Sequence, residues 1–329
     1  MRTFETIVLG LGAMGSASLY QLAKRGNAVL GIDQFAPPHR FGSSHGDTRI
    51  TRVAIGENEQ YTLLARRSHE IWRAIEAETG ESLLTANGCL VLSSDAPRAP
   101  THVENFFENT VAAAERYGIP HERLNAQGVR ARFPAYKARD NEKAFFELGG
   151  GFLRVENCVA ANLVLARKHG AEIHTGEKVL GFEPTPHGVT VTTERGSYAA
   201  DRLVITAGAW LPALIGEKHR GQFKVLRRVQ YWFDIDGPIE PLSAGEFPGV
   251  PVGAAGQAAE HLRLPGDQWP RRQFQARNRA IRHRDNSGRC ETGSHAAGDR
   301  GDVPRLRRTL LQGCNETLPE ILCLPLHQR

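Results

Sequence analysis

No apolar run in this chain approaches the ~20 residues that a helix needs to cross a bilayer, and no signal-peptide pattern precedes the first strand-like segment at Phe4. These two absences predict a soluble, cytoplasmic protein with no membrane partner. Cysteine is scarce as well: Cys89, Cys158, Cys290, Cys314 and Cys323 are the five in 329 residues, without a CxxC pair or Cys/His metal spacing. An odd, scattered set of this kind points to neither a disulfide framework nor a zinc site. Lysine and tyrosine are missing altogether from residues 253–329, and Phe274 is the single phenylalanine there. That segment holds 13 of the chain's 41 basic residues, all Arg, and 8 of its 36 acidic ones, which leaves 28 of each sign before it. The formal net charge of +5 therefore belongs to the last 77 residues, and the rest of the chain, long enough for one large or two ordinary cores, is balanced.

What is present begins with a buried-strand pattern, Phe4-Glu-Thr-Ile-Val-Leu, running into Gly10-Leu-Gly12-Ala-Met-Gly15. A helical pattern follows over Ser16 to Arg25, Gly26 stops it, and a second strand from Ala28 to Ile32 ends at Asp33. Strand, glycine turn, helix, strand and acid in this order point to a dinucleotide-binding unit, the alternative being a purely structural βαβ turn. The first glycine permits the tight turn, the second lets backbone approach a pyrophosphate, and the third lets helix pack on strand. The helix N-terminus offers free N–H groups to the phosphates, and Asp33 is the acceptor for the adenosine ribose.

The next segment, Gln34 to Arg52, is irregular and polar, with Pro37, Pro38, Gly42 and Gly46 breaking regular structure through most of it. Long ordered loops of this kind are usually functional. It carries His45, Arg49 and Arg52, and the two arginines, three apart, share a face if the segment turns helical. A solvated loop in which they pair with Asp47, Glu57 or Glu59 is the plain alternative. Tyr231 and Trp232 alternate as in a strand, His69 and His169 fall on helical patterns and read as surface residues, Cys89 reads as a buried strand thiol and Cys158 as a helix-packing residue.

The combination GLGAMG, Asp33, PPHRFGSSHGDTRITR and a helix over Glu59 to Glu78 resembles the monomeric sarcosine oxidase and N-methyltryptophan oxidase family of FAD-dependent amine oxidases. Leu124 to Pro134, Gly150 to Arg154 with a helix from Glu156 to His169, and the stretches 171–182, 189–193 and 201–210 agree, so the likeness covers residues 1 to about 252. The resemblance implies an α/β fold: a Rossmann-type FAD-binding domain (1–85 and 147–218) interleaved with an α+β substrate domain containing an antiparallel sheet (86–146 and 219–252), then an irregular tail over 253–329. It implies FAD as cofactor, held by Gly10, Gly12, Gly15, Asp33, Ser43, Thr48, Val179 and Gly208. Arg49 would lie beside the flavin ring, Arg52 would hold a substrate carboxylate, and His45 would contact or tune the flavin. The implied partners are a small-molecule amine and oxygen, with no nucleic acid, and the implied state is a monomer. A non-catalytic dinucleotide-binding remnant and another FAD amino- or imino-acid oxidase are the other classes.

Past Val252 the family pattern is not legible. A basic nucleic-acid arm would interleave aromatics or present a patterned helix, and residues 260–283 do neither; an ordinary disordered extension fits the polar composition. A third reading fits better. Codons permitted for residues 260–283, read one base forward, allow NIYGFPAINGPGGSFKLATEQYA, and the same shift over 312–329 allows a CLYT string like the family's flavin-attachment motif. One constant shift that yields sensible protein along the tail predicts a frameshift near residues 253–259. On that reading the family's oxygen-activating lysine and the flavin-bonding cysteine are lost, and Cys323 is not that cysteine.

Overall fold

The computed structural model describes residues 2–94 and 104–226, Pro248, and the backbone of two short paired strands, Arg282–Arg284 and Cys290–Thr292. In chain order its elements are β1 (Arg2–Leu9), α1 (Ala13–Lys24), β2 (Val29–Asp33), β3 (Thr48–Thr51), α2 (Tyr61–Thr79), β4 (Leu84–Thr85) and β5 (Cys89–Ser94). There follow α3 (Phe106–Arg116), β6 (His121–Asn125), α4 (Ala126–Arg132), β7 (Glu142–Glu147), β8 (Gly151–Arg154) and α5 (Val155–Lys168). Last come β9 (Glu172–Thr175), β10 (Val179–Thr185), β11 (Gly188–Thr193) and β12 (Gly196–Ile205). The expectations for Tyr231, Trp232 and the frameshifted tail lie outside the described residues, those two strands apart.

The chain divides into two compact units. The first comprises Met1–Val53, Gln60–Ala86 and Gly151–Arg227; the second includes Ala54–Glu59 and Asn87–Gly150. At the centre of the first is a six-stranded sheet in the order β10-β11-β12-β1-β2-β9. The four strands β12, β1, β2 and β9 run parallel, while β10 and β11 add an antiparallel edge. β1 lies between neighbours and is covered on both faces, which is why its inner half is a continuous apolar run. Alternation then sorts that run: Val8 points into one core with Leu19, Tyr20 and Ala23 of α1 and Val159 and Leu163 of α5. Ile7 and Leu9 point the other way, with Leu30, Ile32, Val189 and Val191. On α1 the buried Gly15, Leu19 and Ala23 recur every fourth residue and so form one stripe. Leu19 is wholly buried, and cutting it to Ala would cost about 2–5 kcal/mol.

β3, β8 and β4 make a small antiparallel sheet in the same unit. The strand at 48–51 corrects the helical option for the Arg49 and Arg52 segment, because β-branched Thr48, Ile50 and Thr51 suit an extended chain and pair with β8. Spacing three therefore puts no shared helical face under the two arginines. The second unit is built on an antiparallel sheet β5-β7-β6. One face of it, with Leu90, Leu92, Ala144 and Phe146, packs on Val129 and Phe133 of and after α4. Asn125 starts that helix by accepting the Gly128 N–H at 2.8 Å. Among the described residues no helix is long and apolar enough to cross a membrane.

Candidate functional site

The glycine turn joins the end of β1 to α1, and its geometry forces glycine at two places for different reasons. Gly10 has φ +83°, and a Cβ there would lie 2.6 Å from the Thr206 carbonyl oxygen; at Gly15 a Cβ would lie 1.7 Å from the Gly10 carbonyl oxygen. Backbone cannot yield by such amounts. Gly12 differs: the nearest atom to an added Cβ is the Ser44 Oγ, at 3.2 Å. At Gly12, the position where a phosphate would come closest, the crowding atom is thus a side-chain hydroxyl and not backbone. α1 has no side-chain cap and no acid in its first turn, and the Met14 side chain there is 73% exposed. A helix N-terminus with no acid in its first turn, beside a glycine turn, fits an anionic group; among the described residues only its Ala13 N–H is taken up by a side chain, the Ser44 hydroxyl.

Asp33 ends β2 and is almost fully buried. One carboxylate oxygen accepts the Leu11 N–H at 2.7 Å and the other the Phe35 N–H at 2.8 Å. Both retain a second lone pair for ribose hydroxyls. Around it the backbone is tied down from the far strands: the Glu177 N–H reaches the Asp33 carbonyl at 3.0 Å, two residues before Val179, and the Gly176 N–H reaches Phe35 at 3.2 Å. Thr206, just past β12, donates its hydroxyl to the Gly10 carbonyl at 2.7 Å. That bond brings the segment carrying Gly208, with φ +52°, to the glycine turn. Phe35 packs on His39, Phe41 and Trp210, with ring centroids 5.0, 4.5 and 5.6 Å away.

The loop after β2 folds back on the turn through Ser44, whose Oγ accepts the Ala13 N–H at 3.0 Å. Within it the half-buried Arg49 guanidinium donates to three backbone carbonyls: Thr48 at 2.8 Å, Ser43 at 2.6 Å and His45 at 3.0 Å. Among the described residues no carboxylate takes its hydrogen bonds, so the plain alternative of pairing with Asp47, Glu57 or Glu59 does not hold for Arg49; Glu59 instead pairs with Arg116. Burial lowers the Arg49 pKa from its ordinary value, opposed by the nearby Glu156 charge. His45 is lowered too, chiefly by burial, with Glu156 opposing and Arg49, His39 and Arg40 adding to the fall. Arg52 is half-buried just beyond β3.

Gly10, Gly12, Gly15, Asp33 and the Gly208 segment thus surround one turn, with Ser43, His45, Thr48 and Arg49 on the loop that Ser44 fastens to it. His69 departs from its expected place on the surface, being half-buried with Nε2 2.8 Å from the Thr51 hydroxyl. The outward end of β3 takes it in, a contact that the helical pattern of α2 cannot reveal. Thr206, the ring cluster at Phe35 and Glu156 were not foreseen either; their contacts span distant segments. Cys89 and Cys158 are buried thiols outside any disulfide, as their patterns predict, and no metal-holding group of His, Cys, Asp or Glu occurs among the described residues.

The family model for FAD-dependent oxidoreductases matches residues 5–325. The chain belongs to the DAO family of FAD-dependent oxidoreductases. That match runs past residue 252, where the likeness was expected to end. Relatives align over less: a monomeric sarcosine oxidase of Streptomyces avermitilis is 39% identical over 242 residues, 73% of this chain and 61% of that protein. An N-methyl-L-tryptophan oxidase of Yersinia pestis is 35% identical over 249 residues, 76% of this chain and 64% of that protein. The chain thus spans under two thirds of either relative. Among solved structures, NikD, an unusual amino acid oxidase essential for nikkomycin biosynthesis, superposes with a TM-score of 0.58 at 27% identity, over 65% of this chain and 54% of that one. The mixed sheet described above is the fold of these flavoenzymes, and FAD is the cofactor of the DAO family.

Proposed function

We propose that this chain is an FAD-dependent amine oxidase acting on the N-methyl group of a secondary amino acid, sarcosine or N-methyl-L-tryptophan. The N-methyl carbon loses a hydride, water hydrolyses the resulting imine to formaldehyde and the free amino acid, and oxygen leaves as hydrogen peroxide. Bound FAD supplies the two-electron oxidation and hands the electrons to oxygen. The names of the two relatives supply the substrate class. A monomer in the cytoplasm is part of the same reading, and the first unit is its cofactor-binding part.

In this reading the first turn of α1, with Gly10, Gly12 and Gly15, holds the pyrophosphate, and Asp33 accepts the ribose hydroxyls. Ser43, Thr48, Val179 and Gly208 complete the cofactor contacts through the segments they lie on. Arg49 presents a cation to the ring, His45 adjoins it, and Arg52 takes the substrate carboxylate in a two-pronged bond. The observation that carries the proposal is the Arg49 guanidinium, fixed by three carbonyls with no carboxylate among the described residues bonded to it. A cation held in that way keeps its charge for negative charge that develops during reaction.

The test is a peroxide assay with added FAD on sarcosine and on N-methyl-L-tryptophan, run on this chain and on one whose reading frame is shifted by one base from about residue 253. The frame-shifted chain is expected to make peroxide from one of the two. Replacing Arg49 by Lys, which keeps charge but loses the planar fork, should slow it about 100-fold. Peroxide from proline, glycine or D-amino acids alone would move the chain to another class of oxidase, and FAD bound without peroxide would leave a binding remnant.

A further inference from the structure

The loop between β2 and β3 has a turn that a distant side chain holds in place. Gly46 and Asp47 follow one another with φ 101° and 68°, a left-handed pair that glycine adopts freely and aspartate more readily than most residues. Both of their N–H groups donate to one side chain 110 residues away. The Gly46 N–H reaches Glu156 Oε1 at 2.7 Å, and the Asp47 N–H reaches Oε2 at 3.1 Å and Oε1 at 3.4 Å. Successive amides aimed at one point form a small concave anion site, here filled from within the chain. Glu156 stands in the first turn of α5, where the helix dipole favours its charge. Its neighbour Val155 donates its N–H to the Asp47 carbonyl at 3.3 Å, so α5 grips this residue at its N–H and its C=O.

We propose that Glu156 is a positioning residue whose carboxylate, seated on the paired amides of Gly46 and Asp47, fixes the loop that presents His45 and Arg49. The proposal rests on the reading of that loop as flavin-facing. Glu156 spends its oxygens on amides, so it anchors the loop without bonding Arg49, whose guanidinium stays on carbonyls. Its charge still reaches both side chains: it opposes the fall that burial imposes on His45 and on Arg49. The other groups acting on His45, namely Arg49, His39 and Arg40, all lower it. Asparagine or glutamine at this place would keep one acceptor and lose that opposition.

The experiment compares the full chain with its Glu156→Gln and Glu156→Asp variants, each with and without FAD. Amide exchange at Gly46 and Asp47, the NMR titration of His45, and FAD affinity by absorbance are read for each. Glu156→Gln should speed exchange at the two amides by about tenfold or more, the loss of a charge-assisted hydrogen bond, while amides inside α1 and α5 stay as they were. It should also shift the His45 titration to lower pH, and Glu156→Asp, which keeps the charge, should return that shift most of the way. A loop that was merely packed would not distinguish Gln from Asp in the titration. Unchanged exchange at Gly46 and Asp47 together with an unchanged His45 titration in Glu156→Gln overturns the proposal. Should both move while FAD affinity stays the same in every variant, the anchor stands and the flavin-facing reading of the loop is what fails.

Discussion

Gly12 and Gly15 look alike in the motif, yet the atoms around them predict different consequences of adding one methyl group. At Gly15 the methyl would meet backbone at 1.7 Å, so Gly15→Ala should destabilise the first unit by about 3 kcal/mol or more, as overpacking against atoms that cannot yield does. At Gly12 it meets the Ser44 hydroxyl at 3.2 Å, a side-chain atom that can give by a few tenths of an ångström, so Gly12→Ala should cost far less stability than Gly15→Ala while FAD binding weakens at least tenfold. Melting curves and a flavin titration on both variants separate the two. Cys158 gives a second prediction at this scale. Burial, aided by the charge of Glu76, pushes its thiol up to about 12, so at pH 8 it should resist a thiol reagent in the native protein and react at once in denaturant.

Between elements, Glu177 ties the link from β9 to β10 onto β11 and β12. Burial alone would raise this carboxyl, but hydrogen bonds from Thr193 at 2.6 Å and Tyr198 at 2.9 Å, with His174 nearby, bring it below its usual range. A carboxyl depressed in the folded state adds stability above its unfolded value, near 4.5, and that contribution is lost as the pH falls through the lower folded value. Unfolding followed from pH 6 to pH 3 should therefore steepen below about pH 4.5, and Glu177→Gln should flatten the slope while lowering stability at pH 7. Equal slopes for both proteins would show that the link does not titrate. Elements such as β1, α1 and β2 were legible from local pattern to within a few residues, because each buries an apolar stripe of its own period, and α5 was legible through the family resemblance. The extended course of 48–51 was not, since its partner β8 arrives about 100 residues later. The Arg49 carbonyl cage and the Glu156 anchor were hidden for the same reason: a carbonyl leaves no mark in the sequence, and a lone Glu in a helix's first turn looks like an ordinary dipole partner.

For the whole molecule, charge is the property that divides it most sharply. Residues 1–252 are balanced and 253–329 carry the excess of +5, so retention on a cation exchanger at pH 7 should belong to the tail. A protein ending at residue 252 should elute at clearly lower salt than the full chain; equal elution would mean that the body carries a basic patch of its own. The frameshift reading parts from the others here, because a frame shifted by one base replaces most of the tail's arginines and should reduce the difference.

Thr206 closes the glycine turn by bonding Gly10, 196 residues earlier, and β1 finds one of its two neighbours only when β12 exists. On the ribosome the first strand, turn and helix emerge early but wait for more than half of the translated chain before their last partner appears. At 5–20 residues per second that interval is roughly 10–40 s, during which apolar β1 is open along one edge. Newly made protein should therefore gain its yellow colour late in translation, and holdase chaperones have their longest opportunity on this first segment.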